Sequence, residues 1–165
     1  MYDNEYMETN KQFKRILETS EKKVQISLLN IKKLLFPNFI SVYDCIIIND
    51  TPISISKEKF NDIINKMYTD KTGYEASNTE TLINFIIGEE EFAISEMIQL
   101  ALIAIDVWAL SLKMMDKESK FCFIISCDIE SSFVTLRYHK VRNNEDMWLV
   151  KDLEEYNQPI AYAII

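Results

Sequence analysis

The chain has 165 residues, 48% of them hydrophobic and 27% charged, and a formal net charge of −8. This length suits one domain, and the composition is that of a folded chain rather than a disordered one. The only glycines are Gly73 and Gly88 and the only histidine is His139, which excludes glycine-rich phosphate loops, dinucleotide fingerprints and sites with two histidines. The acidic balance argues against non-specific binding to nucleic acid or to an anionic membrane.

The first third of the chain predicts a helix and then a strand. Apolar residues at spacings of three, four and seven indicate a helix over about 4–36. Pro37 supplies its stop. The run 39–48 is rich in β-branched and aromatic residues, and it is therefore predicted to be one strand.

Short helices are predicted next. Ser56 can cap a helix that runs to about Tyr68. Residues 70–77, which are polar and include a glycine, are predicted to form a loop. A short helix over about 78–87 then ends at Gly88.

The longest helical pattern starts at three consecutive carboxylates, residues 89–91, and extends to about Met115. Acids at a helix N-terminus complement its dipole. The stretch 97–115 includes Asp106, and an ionised carboxylate near the middle of a span is costly in lipid. We therefore expect a buried core helix and no membrane span.

After residue 120 the pattern changes to that of strands. The segments 121–127, 133–141 and 159–164 are predicted strands, the first two joined by a hairpin, and 147–150 is a further extended piece at an edge. Helices followed by antiparallel strands predict an α+β fold. We expect a single domain over 1–165, in which N-terminal helices and one long central apolar helix pack on a small, mainly antiparallel sheet.

Three cysteines, Cys45, Cys122 and Cys127, lie in apolar segments. Their odd number and their surroundings predict buried, reduced thiols rather than disulfides or a metal site. Cys122 and Cys127 are five residues apart in one predicted strand, so they should point to opposite faces. Because no basic, apolar leader is visible at the N-terminus, the expected location is the cytoplasm.

One strand places Arg137 and His139 on the same face. With Asp128 or Glu130 from the adjacent hairpin, they suggest a small hydrolase or nuclease. The alternative is a salt bridge or a paired histidine on an open sheet face. No nucleophile motif, metal-ligand spacing or extended basic stripe accompanies them, so the prediction is a non-enzymatic protein without cofactor, metal or nucleic-acid partner.

The negative charge is concentrated in the second half. Residues 1–88 contain 12 acids and 11 bases, whereas residues 89–165 contain 14 acids and 7 bases. Such a field speeds encounter with a basic partner, and aromatic side chains supply contact area. The alternatives are that the acids serve solubility, and that Trp148 and Leu153 close the bottom of the core while the acids of the tail face water. The candidate partner-binding residues are Glu89, Glu90, Glu91, Asp128, Glu130, Trp148, Asp152, Glu154, Glu155 and Tyr156.

The apolar helix 89–115, the strand sequences FCFIISCDIE and SFVTLRYHKVR, and the closing DLEEYNQPI resemble the small acidic immunity proteins of bacterial polymorphic and contact-dependent toxin systems. The similarity is one of type, over about the last half of the chain. It implies an intracellular inhibitor that binds a toxin domain, often a basic nuclease, and occludes its substrate site.

An adaptor domain that assembles through a sheet edge is a third hypothesis.

Overall fold

The computed structural model describes residues 7–19, 28–87, 93–149 and 151–165. Five strands in these ranges form an antiparallel sheet in the order β1-β7-β5-β6-β4, and two form a separate hairpin, β2-β3. In chain order the strands are β1 Met7–Thr9, β2 Phe39–Val42, β3 Cys45–Ile48, β4 Thr81–Leu82, β5 Phe121–Asp128, β6 Phe133–Lys140 and β7 Ile160–Ile164. The helices are α1 Lys11–Thr19, α2 Leu28–Leu35, α3 Lys57–Met67, α4 Lys71–Asn78, α5 Ile83–Ile87 and α6 Ile94–Met115, with a 3₁₀ turn at Leu153–Glu155.

The α+β fold is confirmed. The predicted strands over 121–127, 133–141 and 159–164 correspond to β5, β6 and β7 within a residue or so. The hairpin between β5 and β6 is also present. The capped helix at Ser56 is confirmed too, because Ser56 Oγ accepts a hydrogen bond from Lys59 N at 3.2 Å.

The main core lies between α6 and one face of the five-stranded sheet, which we call the near face. It is lined by alternate residues of β5 and β6, including Phe123 and Leu136. Trp108 of α6 is fully buried there, and its Nε1 donates to Leu34 O at 2.7 Å. This bond ties α6 to α2, so the long apolar helix is the central core element that its sequence predicts.

Among the described residues, α6 is the one helix that is long and apolar enough to cross a bilayer, judged by length and composition alone. Within its most apolar 18-residue window, 56% of the residues are buried inside the fold. A buried core helix passes the same test, so this is weak evidence for a membrane span. The predicted start of the helix at 89–91 lies outside the described residues; the described helix starts at Ile94 and ends at Met115, as predicted.

The prediction of one helix over 4–36 is wrong at its start. Met7–Thr9 is a strand that pairs with β7, and the described helical parts are α1 and α2, with 20–27 outside the described residues. The chain turns at Asn10, which is buried and whose Oδ1 accepts from Phe13 N at 3.0 Å and from Ile160 N at 3.2 Å. One side chain thus caps α1 and holds β7 in place.

The prediction of one strand over 39–48 is also wrong, because the run folds into the β2-β3 hairpin. Val42 pairs with Cys45 across a two-residue turn. Tyr43, in that turn, has a φ of 53°, a conformation that glycine or asparagine usually supplies. Its hydroxyl donates to Ile55 O at 2.7 Å, a contact that offsets part of the backbone strain.

The predicted loop at 70–77 is the helix α4. Asp70 caps it by accepting from Gly73 N at 2.7 Å. Residues 72–76 are all buried, although only two of them, Tyr74 and Ala76, are hydrophobic. An apolar pattern cannot reveal this helix, because a glycine and two polar side chains, Thr72 and Glu75, occupy three of these five buried positions.

The most deeply placed of them is Glu75, which is fully buried. Its Oε1 accepts from Ile46 N, and its Oε2 accepts from Lys140 N and from Arg142 Nη1, each at 2.8 Å. Arg142 Nε also contacts Asp44 Oδ2 at 3.2 Å. We call Asp44, Glu75, Lys140 and Arg142 the Glu75 junction, since they join the β2-β3 hairpin to β6.

Two smaller predictions also change. The predicted helix over 78–87 begins instead as strand β4, which pairs with β6, and becomes helical only at Ile83. Met147–Leu149, the described part of the predicted extended piece, contains no strand. These residues instead begin a stretch that crosses the sheet.

Candidate protein-binding surface

The far face of the five-stranded sheet is covered in part by residues 147–149 and 151–156, which we call the crossing segment. Leu149 and Leu153 of this segment are buried against Cys122, Ile124 and Ile160. The crossing segment therefore closes a second, smaller core on the face opposite α6.

Beyond the crossing segment, part of the far face remains open. The β5-β6 register pairs Ile124 with Arg137, Ser126 with Thr135 and Asp128 with Phe133, and directly paired residues project from the same face. Most of these side chains are only partly buried. We call Ser126, Asp128, Phe133, Thr135 and Arg137 the open strip; at about 3.4 Å per residue its ends are roughly 13 Å apart.

Trp148 bounds one end of the open strip. Its ring centroid lies 5.8 Å from the Arg137 Cζ, within reach of a cation–π contact. Arg137 Nη2 also forms an ion pair with Glu80 Oε2 at 2.9 Å. Trp148 is 43% exposed, so it presents a large aromatic surface at this end. Leu153, which the alternative prediction paired with it, is buried and does close the far-face core.

An acidic groove of about 550 Å³ bounds the other end. It is lined by residues of the β5-β6 turn and of the chain just before β7: Cys127, Asp128, Ile129, Glu130, Tyr156, Asn157, Gln158 and Pro159. Asp128 Oδ1 accepts from Ser131 N at 3.0 Å, and this hydrogen bond lowers the pKa of Asp128 below its usual range. The carboxylate is therefore ionised at neutral pH.

The structure brings together some of the predicted partner-binding residues and leaves others apart. Asp128, Glu130 and Tyr156 line one groove, whereas Trp148 lies at the opposite end of the strip. The remaining predicted acids of the tail, Asp152, Glu154 and Glu155, are exposed on the 3₁₀ turn that leads into Tyr156. Glu89, Glu90 and Glu91 lie outside the described residues.

Two of the tail acids also have local roles. Asp152 Oδ1 accepts from Glu154 N at 2.9 Å and so caps the 3₁₀ turn. Glu154 Oε1 accepts from Lys11 N at 3.0 Å at the start of α1. Their positions are thus fixed by the fold, and Glu155 is the tail acid best suited to substitution.

Two residues that sequence reasoning did not select belong to this surface. Ile129 is 54% exposed in the acidic groove, and Phe133 is 37% exposed on the open strip. Alternation along β6 already placed Phe133 on the face of Arg137. The exposure of that part of the face could not be seen, because it depends on where the crossing segment lies.

His139, the basis of the hydrolase alternative, is 1% exposed. Its Nδ1 lies 3.1 Å from Lys140 O and its Nε2 lies 3.5 Å from Trp148 N. Since a carbonyl accepts and an amide N–H donates, Nδ1 carries the proton and Nε2 accepts, the latter bond being long. Burial lowers the pKa of His139, so the imidazole is neutral and enclosed rather than placed for proton transfer to a substrate.

The three cysteines are buried and unbridged, as predicted. Burial raises the pKa of each thiol, in Cys45, Cys122 and Cys127, to about 12, which makes the thiolates rare at neutral pH. Cys122 belongs to the far-face core and Cys127 to the main core, so the two do point to opposite faces. Within the described ranges, no group of three or more histidine, cysteine or acidic side chains could hold a metal ion.

Comparison with known proteins identifies a family. A family model described as "Uncharacterized protein PM0498 family" matches residues 8–165. No curated protein and no solved structure matches the chain. Because the match covers nearly the whole sequence, the chain belongs to the uncharacterized protein PM0498 family.

Proposed function

We propose that this protein is a non-enzymatic binding protein, an immunity protein that neutralises a cognate toxin domain such as a basic nuclease. The open strip and its acidic groove would cover the substrate site of that domain. The observation that carries this proposal is one sheet face that exposes Trp148 at one end and, at the other, Phe133 beside the groove that contains Asp128 and Glu130.

The aromatic content of the surface supports a protein partner. Trp148 and Phe133 stay 43% and 37% exposed, and Tyr156 lines the groove between the hairpin and the tail. Protein interfaces are enriched in aromatic residues and arginine, and tryptophan and tyrosine account for many of the large losses in binding on truncation. Trp148 stacked on Arg137 is therefore the best candidate anchor.

The charge supports a basic partner. Asp128 and Glu130 line the groove, and Glu155 lies next to Tyr156 in the chain. Residues 89–165 as a whole contain 14 acids and 7 bases. Complementary charge raises the rate of association more than it lowers the rate of dissociation, so electrostatic steering should be visible in kinetics.

Charge reversal at the groove tests the proposal. Glu130→Lys/Glu155→Lys should slow association with a basic toxin domain by about tenfold at low ionic strength and should flatten the salt dependence of the rate. The domain to use is the product of the gene adjacent to this one, and association is followed by stopped-flow fluorescence. The matched control is Glu58→Lys/Glu118→Lys, which reverses two exposed glutamates away from the open strip.

Survival gives a second readout of the same proposal. Cells that express the toxin domain should grow with the wild-type protein or the control variant, and should grow poorly with the groove variant. Equal association rates for all three proteins would remove the groove from the interface. Cleavage of RNA or DNA by the purified protein alone would contradict the non-enzymatic role.

A further inference from the structure

A second surface lies on the opposite side of the molecule, along the outer face of α6. Apolar side chains at helical spacing are exposed there: Ile103 is 36%, Leu110 is 70% and Met114 is 82% exposed. Val107, on the same face, is partly buried. This row is the outward side of the core helix, and it shares no residue with the open strip.

Beside this row lies a groove of about 480 Å³ between α6 and the end of β7. Its lining is mostly apolar and consists of Asp106, Ala109, Leu110, Lys113, Ile164 and Ile165. Ala109 has a small side chain, so an incoming side chain can approach the helix backbone closely at that point. The same patch therefore combines projecting apolar side chains, Leu110 and Met114, with an apolar recess beside them.

Such a patch fits a second copy of itself in antiparallel orientation. Asp106 precedes Leu110 by four residues and Lys113 follows it by three, which places them about 6 and 4.5 Å along the axis on either side. A twofold axis through Leu110 would therefore bring each Asp106 close to Lys113 of the other copy. Lys113 Nζ already donates to Ser119 O at 2.8 Å, and an ammonium group has two further donors.

Charge also favours a second copy at this place. The chain carries a net charge of −8, so most pairs of surfaces from two copies repel each other. The groove beside α6 is lined by one acid and one base and is locally neutral. The sheet edges offer little for assembly, because the edge strands β1 and β4 have three and two residues.

We propose that two copies of this chain pair through the outer face of α6, with antiparallel helices that cross at Leu110. The interface is isologous: Leu110 of each copy packs against Leu110 of the other at the axis, and two reciprocal Asp106–Lys113 pairs beside the groove fix the orientation. Because α6 covers the near face of the sheet, the open strip on the far face stays accessible in the dimer.

Sedimentation equilibrium over about 1 to 300 µM tests the pairing, a range that brackets micromolar dissociation constants. The wild-type protein should shift from the monomer mass towards twice that mass. Leu110→Lys should raise the dissociation constant at least about tenfold, because two lysines would meet at the axis. Met67→Lys is the control, since Met67 of α3 is 70% exposed and lies away from this patch. Circular dichroism verifies that each variant is folded.

A charge swap tests the orientation. Asp106→Lys alone and Lys113→Asp alone should each weaken the dimer several-fold, and the double variant should recover most of the loss. Cysteine at position 110 should also form an intermolecular disulfide under mild oxidation, whereas cysteine at position 67 should not.

A wild-type protein that remains a monomer over the whole range would overturn the proposal. So would a dimer that Leu110→Lys leaves intact. If the protein is monomeric and instead cosediments with vesicles of phosphatidylcholine and phosphatidylglycerol in a manner that Leu110→Lys abolishes, the patch faces lipid and the pairing is wrong. None of these results bears on the Glu130→Lys/Glu155→Lys variant of the acidic groove. The proposed dimer and the proposed function can therefore fail separately.

Discussion

Two arginines five residues apart, Arg137 within β6 and Arg142 just after it, have different surroundings. Arg142, in the Glu75 junction, contacts Glu75 Oε2 at 2.8 Å and Asp44 O at 2.9 Å, and its side chain is 9% exposed. Arg137, on the open strip, pairs with Glu80, which is 44% exposed. The Nε atom of Arg137 is buried and has no hydrogen-bond acceptor among the described residues.

This difference separates a buried ion pair that holds the fold together from one that reaches the surface, where Glu80 is 44% exposed although Arg137 itself is 17% exposed. The carboxylate of Glu75 has three donors and is withdrawn from water. Removing it leaves a buried guanidinium without its main partner, which is costly. The ion pair of Arg137 with Glu80 is partly in water, where such pairs contribute little, and Arg137 also supports the exposed ring of Trp148.

The largest expected effect is on stability, at the junction. Glu75→Gln should lower the free energy of unfolding by about 3–5 kcal/mol, because it removes the buried negative charge that faces Arg142. Glu80→Gln makes the same change beside Arg137, and it should cost less than about 1 kcal/mol. Urea unfolding followed by tryptophan fluorescence measures both. Equal losses in the two variants would mean that the two arginines are not used differently.

The second expected effect is on binding, at the strip. Trp148→Ala should weaken the complex with the toxin domain by about 2 kcal/mol or more, as truncation of a central aromatic anchor does. Its cost in stability should stay near 1 kcal/mol, since the ring is 43% exposed. Phe36→Ala is the control, because Phe36 is 67% exposed outside the strip. Isothermal titration calorimetry gives the affinity; no change for Trp148→Ala would exclude it as an anchor.

A contrast between elements with a periodic apolar pattern and elements held by contacts between distant residues explains which parts of the fold could be predicted. The helix α6 and the strands β5 and β6 have apolar residues at the period of their own structure. The predicted bounds of both strands and the predicted end of the helix agree with the structure within a residue or so. The helix α4 and the β2-β3 hairpin could not be found in this way. In α4, buried positions are occupied by residues such as Glu75, whose partners Ile46 and Arg142 are distant in sequence. The β2-β3 hairpin turns at Tyr43 without the usual glycine or asparagine.

The surface was predictable only in part, for a related reason. Strand alternation places Phe133, Thr135 and Arg137 on one face from sequence alone. Which of them is exposed depends on the crossing segment. Asn10 holds its path through a hydrogen bond from Nδ2 to Leu153 O at 3.4 Å, and Asn10 Nδ2 also donates to Gln158 O, just beyond the segment, at 2.8 Å. A contact between residues near opposite ends of the chain leaves no periodic pattern, so a single sequence does not reveal it.

The smallest expected effect is the acid sensitivity of the junction together with Asp116, which forms an ion pair with Lys140 of the junction at 2.8 Å. Burial raises the pKa of Asp44, but hydrogen bonds from Lys71, Lys140 and Arg142 outweigh this and lower it to about 2. Hydrogen bonds from Lys140 and Ser119 lower the pKa of Asp116 to about 2 as well. A carboxyl group whose pKa is lowered on folding stabilises the fold at pH values above its usual pKa of 3.8. This contribution is lost as the pH falls from 3.8 towards 2.

The stability should therefore decrease as pH falls from about 4 to 2, by a term on the order of 1 kcal/mol, since Asp44 is partly in water and its pairs are screened. Burial shifts the pKa of Glu75 in the opposite direction, so its contribution increases stability as pH falls and cannot cause the predicted loss. The measurement is urea unfolding of the wild type and of Asp44→Asn/Asp116→Asn at pH 5, 4, 3 and 2. The double variant should lose part of the slope, while Asp50→Asn/Asp62→Asn, which changes two exposed acids away from the junction, should keep it. An unchanged slope in the first variant would show that the acid sensitivity of the protein arises elsewhere than at the junction.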